Sequence, residues 1–104
     1  MNKSLEYQTK VCEENRDKIV ICLDRKQRKR ILRTLRNLNV PIFKGTGTRA
    51  DAKIWPNLVI CREHICGYLQ PNGQGFTGYT ELSERDFIGL FITNKFDIYG
   101  SYVE

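Results

Sequence analysis

Long apolar runs are missing from this sequence: none approaches the roughly 20 residues that would cross a bilayer. The first ten residues, Met1 to Lys10, are polar and lack the apolar middle of a signal peptide. These two absences predict a cytoplasmic protein with no membrane partner, and the cell is expected to be bacterial. There is no internal repeat and no low-complexity tract. A chain with 40% apolar and 11% aromatic residues has ordinary globular composition, which excludes long disorder. No Gly-Lys-Ser/Thr opens a helix, so there is no P-loop. Cysteine is limited to Cys12, Cys22, Cys61 and Cys66, and in the cytosol these are expected as thiols.

What is present fits a single domain, 1–104, with one thin core. Partner binding or self-association as a homodimer would help such a chain. Lys18 to Leu23 is a short β-branched run that suits a buried strand. Asp24 fits a helix N-cap with Gln27 in the capping-box position, and the helix is predicted to run to about Leu38. Ile31, Leu32, Leu35 and Leu38 form its apolar stripe, and Asn39 and Pro41 end it. A second strand is expected at Val40 to Lys44, then a long connection, then a hairpin from Leu58 to Leu69 turning near Arg62-Glu63-His64. A glycine-rich loop occupies Gln70 to Gly78. Ser83 and Asp86 form a second capping box, with Leu82 and Phe87 as its hydrophobic staple, for a helix from Glu84 to about Ile92. Lys95 to Val103 reads as an edge strand and residues 1–15 as a loosely packed helix or arm. The order predicts an α+β fold, with a small, mostly antiparallel sheet of four to five strands and two main helices packed on one face.

The first of these helices carries the strongest functional signal. Arg25, Lys26, Lys29, Arg30, Arg33 and Arg36 project opposite the leucine stripe, and no acidic residue interrupts them. A solvated face normally mixes signs, because like charges at i,i+4 repel, and cations near a helix N-terminus oppose its dipole. The pattern therefore points to an anionic partner: nucleic acid, a nucleotide, or an acidic protein surface. A solubilising face is the plainer explanation. Lys44-Gly45-Thr46-Gly47-Thr48-Arg49 combines flexible backbone, hydroxyls and cations, and could nest a phosphate or be a surface loop. Trp55 could stack on a base or plug the core, and Tyr68, Phe76 and Tyr79 carry the same two readings. If both glycine-rich loops lie at one end of the sheet, they form a cationic, aromatic-lined pocket for a nucleotide.

Cys61, His64 and Cys66 are potential zinc ligands, but their spacing is not that of a standard knuckle. No metal and no cofactor are expected, and Cys22 reads as a small buried thiol. Among the carboxylates, Asp24, Glu84 and Asp86 are explained by helix starts. Asp51, Glu63 and Glu81 show no pairing for acid–base or two-metal work, so no catalytic residue is expected.

The pattern also resembles a kind of small phage-encoded accessory protein. Ile19-Val20-Ile21 leading into Asp24-Arg25-Lys26-Gln27 and Ile31-Leu32-Arg33-Thr34-Leu35 carries the likeness. It continues through Ile42-Phe43, Leu58-Val59-Ile60, Gly67-Tyr68 and Glu81 to Phe87, and covers residues 18–92. The resemblance implies host takeover or counter-defence without catalysis. The residues themselves favour a binding protein that engages nucleic acid or a nucleotide through the basic helix and glycine loops. The alternative is an inhibitor that covers an acidic or nucleic-acid-binding surface of a host protein.

Overall fold

The computed structural model describes residues 3–43, 56–67 and 77–104. It contains helix α1 (Leu5–Glu14), strand β1 (Lys18–Ile21) and helix α2 (Arg25–Asn37), then strands β2 (Asn57–Cys61), β3 (His64–Gly67) and β4 (Thr80–Glu81), and helix α3 (Glu84–Gly89). The α+β class holds, with a four-stranded sheet ordered β3-β2-β1-β4. The β1–β2 and β2–β3 pairs are antiparallel and β1–β4 is parallel, so the sheet is mixed.

Register explains why one face is covered. Val20 lies opposite Leu58, and Ile60 opposite Ile65, so these side chains share a face with Cys22. Against them pack Val11 and Cys12 of α1, Ile31, Leu32 and Leu35 of α2, and Phe87, Leu90 and Phe91 from α3 and the turns after it. On the opposite face, the paired Ile19 and Val59 are also buried, so the sheet is apolar on both sides at its centre.

Helix α2 begins and ends through local chemistry. The Asp24 side chain accepts from the Gln27 N–H at 2.9 Å, while Gln27 Oε1 accepts from the Leu23 N–H at 2.6 Å. The reciprocal half of the capping box thus reaches one residue beyond the cap. At the other end Asn39 is left-handed (φ 64°). The Val40 N–H then bonds to Leu35 O and the Asn39 N–H to Arg36 O, both at 3.0 Å. This is a Schellman turn, with Asn39 in the place glycine often takes.

Four expectations are corrected. The helix expected within 1–15 is present, but it is not loosely packed: α1 is capped by Ser4 and buries Gln8, Val11 and Cys12 along one side. Gln8 is fully buried, and its Nε2 donates to Leu38 O at 2.8 Å and Phe91 O at 2.9 Å. The strand expected at 40–44 is a single parallel bridge between Ile42 and Ile65. Pro41 accepts from the Ile65 N–H but has no N–H to extend the ladder. Helix α3 stops at Gly89, with irregular turns, several closing on Gly89 O, carrying the chain onward to Asn94.

The edge strand expected at 95–103 instead folds back on itself, with Phe96 bridging Tyr102. Asp97 Oδ1 organises this turn by accepting from the N–H groups of Tyr99 and Ser101, each at 2.9 Å. Its far end is tied to α3, because Asp86 Oδ1 accepts from the Tyr102 N–H at 2.9 Å and Arg85 donates to Tyr102 O at 2.9 Å.

Two variants test this packing. A Cβ at Gly89 would fall inside the Tyr102 ring. Gly89→Ala should therefore destabilise the protein by roughly 1–3 kcal/mol in urea unfolding, although alanine normally favours helix. In a Tyr102→Ala background the same change should be neutral or stabilising. Gln8→Leu keeps the bulk but removes both donors, and should cost roughly 2–4 kcal/mol. Equal stability of Gln8→Leu and wild type would mean that the two carbonyls find other partners.

Candidate functional site

Of the eight cations expected to bind an anion, six lie on α2, where the structure divides them, and Lys44 and Arg49 lie outside the described residues. Arg25, Lys26, Lys29, Arg33 and Arg36 are exposed, and among the described residues none of these five has an ion-pair partner. They occupy one side of the helix over an axial length of about 16 Å. Arg30 is different. Its Nη2 lies 2.7 Å from Glu84 Oε1 and its Nε 3.2 Å from Oε2, so it grips the first residue of α3 with two bonds. Gln27 Nε2 adds a third donor to Glu84 Oε1 at 3.0 Å. Arg30 is thereby committed to fixing α2 against α3 and is set apart from the free row.

Glu84 responds as this geometry requires. Hydrogen bonding from Arg30 holds its carboxyl below the ordinary value, partial burial works against that, and Gln27 and the Arg30 charge add to the lowering. The same contact pushes Arg30 up.

The tip of α2 does not resemble an anion site. Its Asp24 cap already satisfies the Gln27 N–H and places a carboxylate where a phosphate would sit. The exposed cations of α2 are therefore presented along its flank. Near the tip is an open cleft of about 390 Å³ lined by Leu23, Asp24, Arg25, Lys26 and Pro56.

Sequence reasoning misses one arginine. Arg28 is only 2% exposed and lies on the core side of α2. Its place on the helical wheel, between Leu32 and Leu35, is the signal that could have found it.

Cys61, His64 and Cys66 share one face of the β2–β3 hairpin, because Cys61 pairs with His64 and Cys66 is two residues further on. The Cys66 Sγ lies 3.4 Å from His64 Nε2, and the Phe43 ring is 5.3 Å from the imidazole. Burial, followed by the adjacent Cys61 thiol, pushes the Cys66 thiol up to about 12. Burial likewise pushes Cys12 up to about 12 and Cys22 to about 11. These three are protonated at neutral pH and poor nucleophiles. Among the described residues no three His, Cys, Asp or Glu side chains are grouped to hold a metal ion. The expected loop residues Lys44, Gly45, Thr46, Gly47, Thr48, Arg49, Trp55 and Tyr68, with Asp51 and Phe76, lie outside the described residues. Among the described residues no helix is long and apolar enough to cross a membrane.

The Glu84 contacts set a pH dependence with a defined sign. A carboxyl whose folded pKa lies below its unfolded value stabilises the fold fully above the unfolded pKa. That contribution disappears as pH falls through the folded pKa. Glu84→Gln should therefore be less stable than wild type at neutral pH, and the two urea midpoints should converge in acid. A gap that persists in acid would show that Glu84 acts through packing.

The chain matches no family model, no curated protein and no solved structure.

Proposed function

We propose that this chain is a non-enzymatic binding protein that holds the phosphate backbone of a nucleic acid along the outer flank of α2. The observation that carries the reading is the row of five exposed cations, unpaired among the described residues, on a helix with no acidic residue. Spread over about 16 Å, the charges suit a polyanion better than one nucleotide, whose phosphates would need donors converging on a point. The Asp24 cap at the helix tip favours the same choice. Binding of this kind gains its free energy from counterion release and has little sequence preference of its own. The proposal extends to a phage-type accessory role in the host cytoplasm, takeover or counter-defence, exerted by occupancy.

A second reading draws on a different observation. Ile98 and Tyr99 are 91% and 86% exposed at the turn that Asp97 organises. An exposed aliphatic–aromatic pair on a hydrogen-bonded turn suits a protein contact, because the backbone that carries it is already ordered. This favours the inhibitor alternative, in which the α2 row faces an acidic host surface.

Fluorescence anisotropy with labelled DNA across a salt series separates the two. With all five cations on phosphates, the log–log slope of affinity against salt should be roughly −3 to −5. Lys29→Gln and Arg33→Gln should each reduce its magnitude by about 1. Arg30→Gln should weaken the fold yet leave the slope near the wild-type value. If no DNA or RNA binds in a salt-dependent way at low salt, the nucleic-acid reading is wrong and the protein-inhibitor reading takes its place.

A further inference from the structure

The cleft at the N-terminal end of the cation row combines apolar residues and a carboxylate with its two cations, a lining that suits a base. Its walls are Leu23 and Pro56 on the apolar side, with Asp24, Arg25 and Lys26 on the polar side. At about 390 Å³ it falls within the range of small-molecule sites, but it is open to solvent. Leu23 is 91% exposed, yet its backbone is held in place. Its N–H donates to Gln27 Oε1 at 2.6 Å, and the Cys22 N–H next to it donates to Pro56 O at 2.8 Å, tying the two apolar walls together. An apolar side chain held away from the core on fixed backbone can cover a flat ring with no backbone rearrangement.

The polar lining narrows the ligand. Asp24 uses Oδ1 to cap α2, which leaves Oδ2 as an acceptor at the cleft. A carboxylate repels a phosphate but accepts from an N–H, and the exocyclic amino groups of cytosine and adenine offer one. The Arg25 guanidinium can lie flat against a base, and cations here can also hold the phosphates on either side. Lys29, Arg33 and Arg36 then continue the phosphate track away from the cleft.

We infer that the cleft lined by Leu23, Asp24 and Pro56 receives one unstacked, amino-bearing nucleobase of a single strand whose phosphates follow the α2 row. This rests on the proposed nucleic-acid reading and narrows it. A base inside a duplex is stacked and paired, so it cannot enter without the cost of extrusion. The protein is thereby assigned a preference for single strands.

The test is anisotropy at low salt with four labelled probes of comparable length. They are oligodeoxycytidine, oligodeoxythymidine, an abasic strand and a duplex. Oligodeoxycytidine should bind roughly 5- to 100-fold more tightly than the abasic strand, and more tightly than oligodeoxythymidine or the duplex. Leu23→Ser, at an exposed position that the core does not use, should bring oligodeoxycytidine down to the abasic level. Asp24→Asn should keep the helix cap, since Asn and Asp serve that position about equally. With its oxygen on the Gln27 N–H, the introduced carboxamide would present a donor to the cleft instead of an acceptor. The preference should then turn from oligodeoxycytidine towards oligodeoxythymidine, whose base presents carbonyl acceptors. Equal, salt-dependent binding of all four probes would overturn the base site and leave the backbone reading standing. An absence of salt-dependent binding to every probe would overturn both.

Discussion

A single buried carboxamide holds the helical layer together. Gln8, brought in on α1, donates from one nitrogen to Leu38 O at the end of α2 and to Phe91 O just beyond α3. At the opposite ends of the same two helices, Glu84 accepts from Gln27 and Arg30. The helices therefore run in the same sense and are fixed to each other at both extremities. Buried carbonyls at helix ends need donors, and a thin sheet with short strands has few to spare. The apolar contacts beneath α2 hold it over Val20, Leu58 and Ile60, and these two polar junctions fix its ends against its neighbours.

That fixation shapes the outer face. With Ile31, Leu32 and Leu35 seated in the core, the rotation of α2 is set, and Arg25, Lys29, Arg33 and Arg36 are directed to solvent. The division of labour among the basic residues follows from angle alone. Arg28 falls with the leucines and is buried, Arg30 falls at the border and meets Glu84, and the other five remain exposed. A helix so rich in cations would repel itself if it served only as a wall of the core. Its sequence satisfies the packing demand on one side and supports a charge-based role on the other.

The strong local signals were legible in the sequence. The α2 cap at Asp24, the leucine stripe, the β2–β3 hairpin and the Ser83 cap with its Leu82–Phe87 staple appear close to the expected positions, because each depends on residues within a few places of one another. Two of the misses depended on partners far along the chain. Helix α1 buries a stripe of only three residues with a glutamine at one end, which reads as polar until Leu38 and Phe91 are placed beside it. Strand β4 has two exposed residues and owes its existence to the β1 edge. Segment 95–103 has the β-branched and aromatic composition of a strand, but Asp97 and Gly100 turn it before it can join the sheet. Of the candidate site, the direction of the basic row was legible, whereas the pairing of Arg30 with Glu84 was not. Glu84 lies 54 residues beyond Arg30, and no local pattern connects them.

The double attachment of α2 to α3 also bears on how the molecule opens. Two helices joined at both ends cannot leave the sheet one after the other without breaking a junction at each step. Their amides are therefore expected to exchange with solvent as one cooperative unit, while the two-residue β4 exchanges through local fraying. The surface proposed for a partner thus lies on the part expected to open as one unit. Binding there draws on a face that is already formed and requires no segment to fold.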